Sequence, residues 1–381
     1  MRPPLLEELA AGLESRRAAG LERRLELPAG LDFASNDYLG LAHDPSFVTE
    51  VVHRLSGADG TETWLAPASR LLRGTTARHL AFEARFAAWK GAEAALLLPS
   101  GYQANLALIT ALVGRDDRVL SDELNHASLI DAVRLARPAA RVIFPHADVD
   151  AVARALAEPF PGGRTFLVTE SLFSMDGDLA PLDRYAELTA AHGAELLVDE
   201  AHATGLYGNR GSGRVEELGL DGAVTAVVST FGKSLGLAGG AITGARVLID
   251  HLINRSRPFI FSTAVPPLTL VALETALDRV VHEPWRRHRV LALAARLRAG
   301  LAAAGIPTGG ERSPIVPLRV GANEPALALA TALAARGFDA RAVRPPTVPA
   351  GTARLRLSVH AHHEEAEIDA LVAAIIEERA R

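Results

Sequence analysis

The chain has 381 residues, 49% of them hydrophobic and 22% charged, a balance that suits a soluble globular protein with a sizeable core and room for two domains. Its formal net charge of −5 argues against a nucleic-acid binder, which needs a basic face. With no cysteine at all, disulfides, thiolate catalysis and cysteine-ligated zinc are excluded.

Taken in order, residues 5–25 read as a charged amphipathic helix that ends before Pro28. The opening MRPPLLEELA has early acids and no long apolar stretch, so no signal peptide is expected. No segment offers the roughly 18 uninterrupted apolar residues of a membrane span, and the expected location is the cytoplasm. DFASNDYLGL (32–41) reads as a strand and turn, TETWLAPASRLLRG (61–74) as irregular, and 76–90 as a helix. Short apolar runs then recur at 94–98, 118–121, 142–144, 166–169, 196–198, 223–229 and 241–243, separated mostly by helix-length segments. That alternation predicts a largely parallel α/β sheet with helices on both faces, and any ligand along the edge where the strands end. After a helix near 267–280 come a helix at 290–304, strands at 315–320 and 354–359, and a terminal helix from 364. The expected division is an N-terminal segment, 1–44, a large α/β domain, 45–275, and a smaller α+β domain, 276–381.

The chemistry centres on STFGKSLGLAGG, residues 229–240. Of 40 basic residues only Lys90 and Lys233 are lysines, and an amine that forms a Schiff base cannot be replaced by a guanidinium. Lys90, followed by Gly91, reads as a cation at a helix C-terminus. Lys233 sits in a small-residue loop after an apolar strand and is the candidate for covalent chemistry. In PSGYQAN, Ser100, Gly101 and Tyr102 follow a strand and open a helix, an arrangement that favours an anion but is also a common turn. In VDEAH, Asp199 ends an apolar strand, as a ligand-facing carboxylate or as a helix cap. GKS and DEAH together evoke a nucleotide-driven motor. A phosphate loop, however, needs glycine five residues before its Gly-Lys pair, where this chain has Val227. His126 in NHAS reads as a cap or surface residue unless context says otherwise. HAHH (His360, His362, His363) reads as a solvated strand end and helix start, with no metal expected. Arg354 and Arg356 are two apart on one strand, so they share a face; either offers a carboxylate a bidentate grip, or both are solvated.

In order along the chain, DFASNDYLGL, LNHASLIDA, VTESLFSMDGDLAPL, VDEAHATGLYG, STFGKSLGLAGG, FSTAVPP and RPPTVPAGTARLRL resemble the α-oxoamine synthases, over nearly the whole length. The resemblance implies an α/β, PLP-dependent transferase fold of type I (aspartate-aminotransferase-like). That fold has a large domain around a mainly parallel sheet and a smaller α+β C-terminal domain. It implies a pyridoxal 5'-phosphate enzyme that condenses an amino acid with an acyl thioester and releases CO₂. RPPTVPAGTARLRL is most like the members that join L-alanine to a pimeloyl thioester, carried by coenzyme A or a carrier protein, in biotin biosynthesis. The alternative is a sister using glycine or serine, of the 2-amino-3-ketobutyrate ligase, 5-aminolevulinate synthase or serine palmitoyltransferase type.

By the same resemblance, Lys233 holds the cofactor covalently and serves as general base. Asp199 pairs with the ring nitrogen, His202 with the ring oxygen, and His126 stacks on the ring. Ser100, Gly101, Tyr102 and Thr230 cradle the phosphate, with Ser174 close by. Ser262 and Thr263 reach a neighbouring subunit's phosphate, which implies a homodimer. Arg356 matches the arginine that grips the amino-acid carboxylate, and Arg23, Asn36, His126, Arg344 and Thr347 match positions near the substrates. Two stretches depart from the pattern. LAPASR carries Pro67 and Ala68 where the family has glycines before its Ser-Arg pair, and HAHH replaces smaller residues.

Overall fold

The computed structural model describes residues 4–56 and 63–380. Thr61 and Glu62, the first two residues of the irregular TETW stretch, lie outside the described residues. Packing divides the chain into a larger unit, 36–174 with 178–289, and a smaller one, 1–35 with 175–177 and 290–381. The larger unit thus takes in residues 36–44 and extends past the 275/276 boundary expected from sequence, ending inside the helix Trp285–Ala303.

The larger unit is built on a seven-stranded sheet. In spatial order its strands are Ala94–Leu98, Gly240–Gly244, Ala226–Thr230, Glu195–Asp199, Thr165–Glu170, Arg118–Asp122 and Ala140–Phe144. All neighbours are parallel except around Gly240–Gly244, which runs antiparallel to both of its partners. Only nine residues separate Thr230 from Gly240, too few for the dozen or more that a parallel crossover needs. Six of these strands are buried at every residue or at all but one, which is why they read as continuous apolar runs rather than alternating ones. Two cores form against the sheet. One gathers Leu96, Leu108, Val168 and Val228, the other Leu120, Leu167, Tyr185 and Val198. These alternate along the strands, as residues on opposite faces must.

The larger unit also contains a buried ion pair. Lys90 ends the helix Ala77–Lys90, capped by Gly91 at φ +72°, as its sequence context predicts. Its ammonium, however, is buried and donates to Glu200 at 2.5 Å and to the Ser212 carbonyl at 2.6 Å. The first of the chain's two lysines is therefore structural.

In the smaller unit a three-stranded antiparallel sheet runs Ala342–Val343, Ala353–Ser358, Ile315–Gly321, and Leu31–Asp32 pairs in parallel with Phe338–Asp339. The helix Asn323–Ala335 packs on this sheet and Glu365–Ala380 packs on that helix, burying Leu329, Leu333, Leu371 and Ile375. Ala353–Ser358 is the central strand and is buried throughout, so Arg354 and Arg356 are not solvated. The N-terminal helix is shorter than its charge pattern suggests. It spans Leu5–Ala18 with every residue exposed, and the chain turns at Gly20, φ +63°, where a left-handed backbone ends the helix.

Candidate active site

The parallel strands end along one edge of the larger unit's sheet, and that edge collects polar side chains. Asp199 closes the strand Glu195–Asp199 and stands in register with Glu170 on one side and Val228 on the other. It is buried, and its carboxylate accepts from Asn105 Nδ2 at 2.6 Å and from the Ala201 backbone N–H at 2.7 Å. A turn follows Asp199, not a helix, so the carboxylate is no helix cap.

Asn105 extends the network. Its Nδ2 also donates to Ser128 Oγ at 2.9 Å, and Ser128 Oγ lies 2.7 Å from His126 Nδ1. His126 N-caps the helix Ala127–Ala136 by accepting the Ser128 N–H at Nδ1, which leaves the ring proton on Nε2. Burial, joined by the Lys233 charge, lowers the His126 pKa against the pull of Asp199. Glu170 is shifted in the opposite sense, well above the usual carboxylate range, because it is fully buried and faces Asp199. The Lys233 charge works against that rise. Across the site His202, also buried, lies 2.7 Å from Tyr38 Oη through Nδ1, and Tyr38 donates to Asn36 Oδ1 at 3.0 Å.

Lys233 occupies the loop between Thr230 and Gly240. The Phe231 N–H donates to the Gly239 carbonyl at 3.0 Å, Leu237 N–H to Phe231 at 2.8 Å, and Gly236 N–H to Lys233 at 2.8 Å. Gly239, at φ +122°, lies so close to Phe231 that a Cβ would come within 2.8 Å of its ring. The loop is therefore a fixed platform, and its lysine is half-buried. Against it starts the helix Gly101–Leu112, whose N-cap Ser100 accepts from Gln103 N–H at 3.2 Å. A Cβ on Gly101 would stand 2.8 Å from Thr230 Cβ and 2.9 Å from its hydroxyl oxygen. Only glycine lets the helix start meet the end of that strand, so Ser100, Gly101 and Thr230 come together. Tyr102 is exposed and donates to Asp131 at 2.5 Å. Ser262 accepts from Gln103 at 3.3 Å, Thr263 bridges to Ser69, and Ser174 is buried in the same unit.

The smaller unit holds the remaining candidates. Arg23 donates to Thr347 Oγ1 at 3.2 Å, and Arg344 binds the Gly20 carbonyl. All three line a cleft of about 230 Å³ with Leu21, Met175, Ala342, Val343 and Pro345. Arg354 is committed to Asp176 at 2.5 Å, whereas Arg356 donates to Ser358 Oγ at 2.9 Å. The solvated reading of HAHH is overturned. His360 and His363 are fully buried, and His363 packs on Phe33 in a tilted arrangement with ring centroids 4.3 Å apart. Burial, helped by the two neighbouring histidines, takes the His363 pKa down to about 3.

The family model of class I and II aminotransferases matches residues 28–375. The chain belongs to this family. Within the aminotransferase family, the 8-amino-7-oxononanoate synthase of Anaeromyxobacter dehalogenans (strain 2CP-1) is 46% identical over 97% of this chain and 95% of that protein. Among solved structures, one of SPT with a PLP internal aldimine is 28% identical with TM-score 0.89, covering 99% of both chains. Serine palmitoyltransferase of Sphingomonas wittichii is 29% identical with TM-score 0.89, covering 99% of this chain and 98% of that one. The aminotransferase-like fold and the α-oxoamine synthase resemblance both hold.

Four residues at the sheet edge escaped sequence reasoning: Tyr38, Asn105, Ser128 and Glu170. Asn105 did leave a signal. It lies four residues after Gly101, on the same face of that helix, so it had to follow the glycine toward the sheet edge.

Proposed function

We propose that the chain is a pyridoxal-phosphate enzyme that condenses L-alanine with a pimeloyl thioester, releasing CO₂ and forming 8-amino-7-oxononanoate for biotin synthesis. The observation that carries this is the buried Asn105–Asp199 pair at the strand end, facing His126, which also feels the Lys233 charge, in a chain 46% identical to a synthase of that name. The residues suit the cofactor. The Gly101–Thr230 contact leaves no room for a side chain and presents helix N–H groups to an anion, as a phosphate needs. The half-buried amine and the buried carboxylate supply the other two attachments.

When bound, pyridoxal phosphate supplies an electron sink for charge developing at the amino acid's α-carbon. Lys233 would anchor it and, once released, take the α-proton as general base. Asp199, held by Asn105 and the Ala201 N–H, would keep a proton on the ring nitrogen. His126 would stack on the ring, and His202 would bind the ring oxygen. Ser100, Gly101, Tyr102 and Thr230 would hold the phosphate, with Ser174 nearby. Ser262 and Thr263 would serve the phosphate of a second copy, which makes the working form a homodimer. Arg356 would orient the alanine carboxylate, leaving Arg23, Arg344, Thr347 and Asn36 for the acyl substrate. Coenzyme A and a carrier protein are both compatible acyl donors, and the expected compartment is the cytoplasm.

A sister reading, with serine as amino acid, is favoured by the serine palmitoyltransferase likeness at 28–29% identity. The higher identity to the oxononanoate synthase outweighs it. Lys233→Ala tests the assignment. Borohydride treatment of the loaded wild type should leave a cofactor-sized mass on the peptide containing Lys233, and the variant should lose both label and turnover. Normal turnover in the variant would end the assignment.

A further inference from the structure

The turn between the strand Ala353–Ser358 and the helix Glu365–Ala380 brings three imidazoles together. One ligand nitrogen from each of His360, His362 and His363 falls within 4.8 Å of the other two. The rings are 4.8 Å apart centroid to centroid for His360–His363 and His362–His363, and 5.3 Å for His360–His362. His360 and His363 are fully buried, and His362 is partly open. Three histidines turned toward one another in so few residues make an unusual core element, since each brings two polar ring atoms out of water.

We propose that His360, His362 and His363 form a binding site for a divalent transition-metal ion of the zinc class. The donor set is three imidazoles with no thiolate, which suits zinc and its neighbours rather than calcium or magnesium. The surroundings match what metal-bound histidines require. His360 Nε2 lies 3.3 Å from the Ser35 carbonyl and 3.4 Å from its hydroxyl, and a ring that donates there keeps its lone pair on Nδ1. The Ser35 turn is itself fixed, because Asp32 Oδ1 accepts both the Ala34 and Ser35 N–H groups at 2.8 Å. The Asp32 carboxylate interacts electrostatically with His360 and His363, and so places a negative charge beside the cation. Ligation by His363 through Nδ1 exchanges its 3.2 Å hydrogen bond from the His360 N–H for a metal bond. A tetrahedral zinc would draw the three nitrogens to roughly 3.4 Å of one another, inside the 4.8 Å within which they now stand. His362, the open member, gives the ion its way in and leaves the fourth position to water. Such an ion would clamp the C-terminal turn to residues 32–35 and stabilise the smaller unit.

The test uses untagged, cofactor-loaded protein incubated with zinc and desalted. Plasma mass spectrometry should find one zinc per chain on the wild type, with less than about a tenth of that on His362→Ala and His360→Thr. Zinc should raise the melting temperature of the wild type and not of the variants, with circular dichroism confirming that each variant is folded. Zinc-edge X-ray absorption of the wild type alone should show three imidazoles at about 2.0 Å, independently of any variant. Failure to retain zinc, retention undiminished in both variants, or fewer than two imidazoles around the ion would overturn the proposal.

Discussion

Asn105 carries the most weight for its size. It is 2% exposed, and its amide is the donor that ties Asp199 to Ser128 and so to His126. Asn105→Ala removes a 2.6 Å bond to a buried carboxylate and a 2.9 Å bond to a hydroxyl. A bond to a charged group contributes about 1.5–3 kcal/mol and a neutral one about 1, so the folded state should lose about 2–4 kcal/mol. Because the carboxylate stays behind with only the Ala201 N–H as donor, most of that loss falls on Asp199, and cofactor affinity should drop with stability. Asn105→Asp is the sharper variant. It keeps the shape but sets a second carboxyl against Asp199, so it should be less stable than the alanine form at neutral pH. It should recover as the pH falls and the pair takes up a shared proton. Urea unfolding gives the first quantity and fluorescence titration with pyridoxal phosphate the second. If Asn105→Ala stays within about 0.5 kcal/mol of wild type and binds cofactor normally, the Asn105 amide does not hold Asp199 in place.

Lys90→Met leaves the fully buried Glu200 without its ammonium and should cost about 3–5 kcal/mol in urea unfolding; a variant as stable as wild type would show the pair to be dispensable. His146 lies between Asp122 at 2.9 Å and Asp178 at 2.5 Å. Burial opposes its charge, but the two hydrogen bonds prevail and raise its pKa to about 10. Because the folded-state pKa is the higher one, the stabilisation is complete below about pH 6.5 and is lost as the pH rises through about 10. Relative to His146→Gln, the wild type should gain about 2 kcal/mol near neutrality, after discounting for solvent screening, and the gap should close toward alkaline pH. Thermal melts across that range would show a constant gap if the imidazolium makes no contribution.

Much of the architecture was legible because its signals are local. Runs such as Ala94–Leu98 and Glu195–Asp199 are apolar on both faces, and Ser100 and Thr76 mark helix starts where the structure has them. The antiparallel strand Gly240–Gly244 was readable in principle, since the loop that carries Lys233 is too short for a crossover. What the sequence hid depends on distant partners. Arg354 looks like a solvated strand residue until Asp176 arrives from another part of the chain. His360 and His363 look polar and exposed until Phe33 and Ser35, far away in sequence, pack against them. Glu170 acquires its raised pKa only because register sets it beside Asp199. At the N-terminus, charge periodicity continues past Gly20 although the helix does not.

Substrate choice tests the central claim most directly. The purified protein, loaded with pyridoxal phosphate, would be given pimeloyl-CoA with L-alanine, glycine or L-serine in separate reactions, and product masses and CO₂ release followed. The expected product from L-alanine is 8-amino-7-oxononanoate, with kcat/KM about tenfold or more above that for either other amino acid. A preference for glycine or serine, or no condensation product from L-alanine, would contradict it.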